Sequence, residues 1–152
     1  MEVVVFCGIQ AAGKTAFYVE RFLRTHVRIS LDLVHTRARE RALLETCLAT
    51  RQPCVIDNTN VTRARRAVYI EAARHAAMRV IGYFFDVPLG EALARNRLRP
   101  GAERIPEPGI VAAWRRLEPP RHDEGFDVLY RVTLPAGGGF AVELSPPPAP
   151  SA

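Results

Sequence analysis

Residues 8–15 read GIQAAGKT, and Lys14 within them is the only lysine among the 21 Lys and Arg residues of this 152-residue chain. The octapeptide fits the spacing G-x-x-x-x-G-K-[ST], which bends a backbone so that its N–H groups converge on phosphate oxygens. Gly8 and Gly13 are expected to make that turn and to approach the phosphates closely. Ile9, Gln10, Ala11 and Ala12 lie between them, and Ala16 continues into a helix whose positive end faces the same anion. Lys14 is placed to reach the β- and γ-phosphates of ATP, and Thr15 to offer a hydroxyl to Mg²⁺. A compact ammonium on a thin stem follows phosphoryl charge inside a tight loop, where a planar guanidinium would bind in the wrong geometry. That is a reason for a chain otherwise written in Arg to keep Lys here.

Two carboxylates follow predicted strands. Asp32, in ISLDLVH, can take the proton from a hydroxyl as it attacks the γ-phosphate; the same position also suits a helix N-cap. Asp57 closes the run Cys54–Asp57 and suits a second contact to Mg²⁺. Asn58, Thr59 and Asn60 follow it as candidates for positioning a substrate, and a polar turn has the same composition. In ARNRLRPGAER, Arg95 and Arg99 are four apart and share a helical face, whereas Arg97 points elsewhere. Arg95 and Arg99 suit a clamp on the ATP phosphates, and a solvated Arg face is the alternative. His35, Arg37 and Arg39 stand where an acceptor phosphate would be met, or on an exposed helix face. His26, His75 and His122 have no visible partners.

The elements that must position these residues alternate. Strands are expected at Val3–Cys7, Val27–Ser30, Cys54–Asp57, Arg79–Asp86 and Phe126–Leu134, with an edge strand at Phe140–Leu144. Helices are expected at Lys14–Arg24, Val34–Ala49, after Thr62 through His75, Pro88–Leu98 and Gly109–Leu117. Alternation over the whole length predicts a three-layer α/β/α domain with a mostly parallel sheet over residues 1–144. SPPPAPSA, residues 145–152, is expected to be a disordered tail. The length suffices for a core without metals or disulfides. No apolar run is long enough to span a bilayer, and MEVVVFCG reads as a strand and not as a signal peptide. Cys7, Cys47 and Cys54 are odd in number with no CxxC spacing, which suggests buried free thiols and a cytoplasmic location. The net charge of +5 invites a polyanion, but Arg is scattered through most of the predicted helices, so charge alone does not select nucleic acid.

From Val3 to Leu134 the combination GIQAAGKT, RISLD, VIDNTN, RNRLR, RIPEPGI and EGFD resembles a family. It is similar to the P-loop kinases that include the 5′-kinase domain of polynucleotide kinases and small AAA-type ATP-binding kinases. The resemblance implies a P-loop NTPase fold with a helical lid. It also implies that Lys14 and Thr15 carry ATP–Mg²⁺, that Asp32 is the general base, and that Arg95 and Arg99 are lid arginines. The expected activity is ATP-dependent transfer of the γ-phosphoryl group to a hydroxyl, with the 5′-OH of DNA or RNA as first candidate. One position departs from the pattern. Polynucleotide kinases usually carry Arg three residues after the base, and here that residue is His35, with Arg37 two further on. Imidazole is a poorer phosphate clamp than guanidinium, which leaves room for a small-molecule or protein hydroxyl. A P-loop nucleotide hydrolase or switch is the alternative, although no NKxD guanine motif is present. A passive RNA-binding module would leave the phosphate loop unexplained.

Overall fold

The structure, a computed structural model, describes residues 1–147, 149 and 150. Its scaffold follows from short β-branched and aromatic runs that can be buried only from both sides. Strands β1 (Glu2–Cys7), β2 (Val27–Ile29), β3 (Cys54–Ile56), β4 (Arg79–Phe85) and β5 (Val128–Thr133) pair in parallel, and β6 (Ala141–Leu144) joins β5 antiparallel. The order across the sheet is β2-β3-β1-β4-β5-β6. The expected mostly parallel sheet with a late edge strand is therefore what the chain forms, and that edge strand runs antiparallel.

Alternation along β1 sends Val4 and Phe6 to one face, Val3 and Val5 to the other. The first face is covered by α1 (Lys14–Arg21), α5 (Leu89–Arg97) and α6 (Glu107–Arg116), through Phe17, Ala92 and Ile110. The second is covered by α3 (Arg37–Thr50) and α4 (Arg63–His75), through Leu44, Tyr69 and Ile70. This makes three layers. The first face is aromatic: Phe6 meets Phe17 and Phe85 edge-on at centroid distances of 5.8 and 5.0 Å, and Phe17 meets Phe140 of the β5–β6 hairpin at 5.0 Å. Such geometry suits the ring quadrupoles.

Several boundaries differ from expectation: α1 ends at Arg21 and not at Arg24, β5 is Val128–Thr133 and not Phe126–Leu134, and two further differences have a cause in the caps. The helix anticipated over Val34–Ala49 is two helices, α2 (Leu31–Val34) and α3. Ser30 accepts the Asp32 backbone N–H at 3.3 Å and Thr36 accepts that of Arg39 at 3.2 Å, so each cap starts its own helix. His35 between them takes the left-handed conformation, φ 67°. At α6, Pro108 lies inside the first turn, where its missing N–H costs nothing, so the helix begins two residues earlier than expected. Ser145, first residue of the anticipated tail, donates its N–H to Leu129 O and accepts a bond from His122 at 2.7 Å. Residues 148, 151 and 152 of that tail lie outside the described residues. All three cysteines are free and buried, and among the described residues no helix is long and apolar enough to cross a membrane.

One ion pair ties the fold across its second face. Arg66 of α4 is fully buried and makes a two-pronged contact with Glu124, at 2.6 and 3.1 Å, while Nη1 donates to Asn60 O at 2.9 Å. Removing one partner of a buried pair leaves the other charge uncompensated. Glu124→Ala is expected to lower the unfolding free energy by about 3–5 kcal/mol, read from the denaturant midpoint; a loss below about 1 kcal/mol would show the pair to be solvated.

Candidate nucleotide and acceptor cleft

The parallel strands deliver their carboxyl ends to one edge of the sheet, where ligands of open α/β sheets sit. There β1 runs into the loop of residues 8–13, β2 into Asp32 and β3 into Asp57. Between this edge and the helices α5 and α6 lies a cleft of about 830 Å³.

The loop closes around Lys14. Ala11 and Gly13 take positive φ, 61° and 90°, and Gly13 caps α1. Lys14 is 9% exposed and its Nζ donates to Gly8 O at 2.8 Å and Ile9 O at 2.6 Å. Burial pushes its pKa down to about 8, against the opposing pull of Asp57. Gln10, Ala11, Ala12, Gly13, Lys14, Thr15 and Ala16 line the cleft. Gly8 and Ile9 are not among the residues that line it. The Gly8 N–H donates to Thr59 O at 2.9 Å, and a Cβ there would stand 2.9 Å from Phe85 Cβ. Gly8 is small because β4 passes against it, and Ile9 is part of the core.

Thr15 and Asp57, expected to share a metal, are side by side: Thr15 Oγ1 donates to Asp57 Oδ2 at 3.0 Å. Both are hard oxygen donors of the kind Mg²⁺ takes, usually together with waters and phosphates. Among the described residues no group of three or more His, Cys, Asp or Glu could hold a metal ion, so this pair is a partial ligand set that fits a metal arriving with a nucleotide.

Asp32 lies in the first turn of α2, exposed in the cleft wall. Ser30 is the cap, so the reading of Asp32 as N-cap is corrected. His35 is exposed and does not line the cleft, because its left-handed turn ends α2. Arg37 does line it. Its Nη1 donates to both oxygens of the buried Glu40, at 3.1 and 3.2 Å, and to Tyr69 Oη at 3.1 Å. Arg65 reaches the same hub, 3.3 Å from Glu40 Oε1 and 3.2 Å from Tyr69 Oη. Asn58 is a brace: Leu31 N–H donates to its Oδ1 at 2.9 Å and its Nδ2 donates to Glu40 at 2.8 Å. Asn60 is buried in the cleft wall, donating to Phe6 O at 2.7 Å, while its Oδ1 has no partner.

Arg95 and Arg99 both face the cleft, and Arg95 Nε donates to Ala11 O at 3.0 Å, docking α5 onto the loop. Arg97 turns away to Glu107, at 2.7 Å, as its spacing requires. Asn96 fixes the segment behind them through bonds of 2.7 and 2.9 Å with the Ile105 backbone. A smaller pocket of about 340 Å³, between Arg95 and the Gly138–Phe140 turn, adjoins the loop. Sequence reasoning missed Arg28, Glu40, Arg65, Tyr69 and Arg116. The only local signal was the pair of caps, Thr36 and Thr62, that starts the two helices carrying the hub.

The family described as AAA domain matches residues 3–120. The bifunctional polynucleotide phosphatase/kinase of Schizosaccharomyces pombe is 24% identical over 144 residues, 86% of this chain and 33% of that protein, so the chain spans about a third of this curated relative. A gluconokinase from Sinorhizobium meliloti has the same fold, with TM-score 0.60 and 17% identity, covering 87% of this chain and 82% of its own. Chaetomium thermophilum Kti12 in complex with ADP-AlF3 also has it, with TM-score 0.60 and 18% identity, covering 86% of this chain and 88% of its own.

The depressed Lys14 pKa has a thermodynamic consequence. A buried amine whose folded pKa lies near 8 holds fewer protons than in the unfolded chain between pH 8 and 10.5, so folding stability rises with pH across that window. Relative to Lys14→Met, the wild-type chain is expected to gain about 2–3 kcal/mol of unfolding free energy from pH 8 to 10.5. A pH-independent difference between the two would contradict the burial of the ammonium.

Proposed function

The chain belongs to the AAA domain family, and on that premise we propose that it is an ATP-dependent phosphotransferase that moves the γ-phosphoryl group to a hydroxyl. One observation carries the reading: a loop built around Lys14, an exposed Asp32 and the arginines Arg95 and Arg99 share a single cleft. In this reading Lys14, Arg95 and Arg99 answer the charge of the triphosphate, and Thr15 with Asp57 holds Mg²⁺, which offsets charge on the phosphates when bound. Asp32 accepts the proton of the attacking hydroxyl. The smaller pocket beside Arg95 is of a kind that suits the nucleobase.

The acceptor favoured is the 5′-OH of DNA or RNA. Arg37, Arg65 and Arg116 line the cleft beyond those needed for ATP, so the acceptor side is cationic. Arg37 and Arg65 are held by Glu40 and Tyr69, which offsets the absence of Arg at position 35: two aimed guanidinium groups suit a phosphodiester oxygen. The name of the S. pombe relative agrees with this choice.

Labelled ATP offered with 5′-OH DNA, 5′-OH RNA, nucleosides and proteins tests the reading. Transfer to a 5′-OH oligonucleotide is expected, and Asp32→Asn is expected to slow it by about 10²–10⁴-fold without loss of ATP binding. Arg65→Gln is expected to raise the oligonucleotide KM by about tenfold, with the ATP KM unchanged. ATP turnover indifferent to every hydroxyl compound would favour a hydrolase or switch instead.

A further inference from the structure

Arg28 stands at the middle of β2, an edge strand, and opens the run RISLD, in which it has so far been given no role. Its guanidinium ties together the two oxygens assigned above to the metal. Nε donates to Asp57 Oδ2 at 2.7 Å and Nη2 donates to Thr15 Oγ1 at 3.2 Å, while Thr15 Oγ1 donates to the same Asp57 oxygen at 3.0 Å. The three groups close a triangle. Arg28 is not among the residues lining the cleft, and its side chain is only 18% exposed against 2% for Asp57. It therefore backs the pair from the β2 side.

This arrangement opposes metal binding by the protein alone. A guanidinium is always charged, and a like charge close to a cation site raises the cost of filling it. Asp57 Oδ2 already receives two hydrogen bonds, one of them from the charged Arg28 guanidinium, and one Thr15 lone pair is taken. Among the described residues no group of three or more His, Cys, Asp or Glu could hold a metal ion. Mg²⁺ gives up its waters reluctantly and binds through one or two carboxylates plus substrate phosphates. A neutralised carboxylate and one hydroxyl are too little.

We propose that Arg28 is a built-in counter-cation for Thr15 and Asp57 that keeps divalent metal out of the nucleotide-free cleft, so that metal enters only together with the phosphates. This rests on the metal role given to Thr15 and Asp57 under the proposed function. Arg28 is a positioning residue: it acts through its two partners and is not among the residues lining the cleft.

Mn²⁺ titration of the full chain without nucleotide, followed by electron paramagnetic resonance, tests the proposal. Arg28→Gln is expected to bind Mn²⁺ at least about tenfold more tightly than wild type, and Arg28→Lys, which keeps the charge, to stay within about threefold of it. Adding Asp57→Asn to Arg28→Gln is expected to abolish the gain. Unchanged or weaker Mn²⁺ binding by Arg28→Gln, or a gain that survives Asp57→Asn, overturns the proposal. The wild-type chain supplies a reading without any substitution: its Mn²⁺ affinity should be at least about tenfold higher with ADP present, and equal affinities overturn the proposal too. A chain that takes up no nucleotide at all would instead overturn the phosphotransferase reading, and the nucleotide-free comparison of variants would still report on Arg28.

Discussion

One buried ammonium organises the functional edge of this molecule. Lys14 sits under the loop that leaves the central strand β1, its charge held by the carbonyls of Gly8 and Ile9. Burial disfavours that charge and lowers its pKa to about 8 in spite of the opposing Asp57. The group is kept in a state that a bound phosphate would relieve. Because β1 lies between β3 and β4, the loop has a carboxylate-bearing neighbour, Asp57, on one side and the Phe85 backbone against Gly8 on the other. The bend survives only where Gly8 is bare and where Ala11 and Gly13 take positive φ.

Around that centre the arginines divide by what holds them. Arg66 is fully buried and paired with Glu124, so it belongs to the fold. Arg28, Arg37 and Arg65 are each held by a carboxylate more buried than themselves, Asp57 for the first and Glu40 for the other two. Such partners aim a guanidinium without removing it from the cleft or its rim. Arg97 pairs on the surface with Glu107, where screening makes the bond weak. A basic chain thus owes its charge to several tasks, and the net value of +5 reports none of them.

Much of this was legible in the sequence because the signals are local. The strand-loop-helix around GIQAAGKT, the layer order and the divergence of Arg97 from Arg95 and Arg99 follow from period and spacing alone. The adjacency of Thr15 and Asp57 was reachable too, since both follow strands of one parallel sheet. What escaped is set by tertiary packing. The Glu40 hub joins α2–α3, the end of β3 and α4, and nothing near Glu40 in the chain marks it as buried. Arg28 looked like any residue of a short strand, because its partners are 13 and 29 positions away. The turn at His35 was not legible either: Thr36 starts a new helix, and the left-handed residue before it is not among those lining the cleft. Gly8 carries a constraint its motif does not show, the close passage of Phe85 against it.

The account stands on the loop gripping the terminal phosphates of a nucleotide. Calorimetric titration of the full chain with ATP, ADP and AMP, each with Mg²⁺, addresses that directly. Binding of ATP and ADP with AMP weaker by at least about a hundredfold is the predicted result, since AMP lacks the phosphates that Lys14 would reach. Equal binding of all three, or no uptake of any, would contradict it.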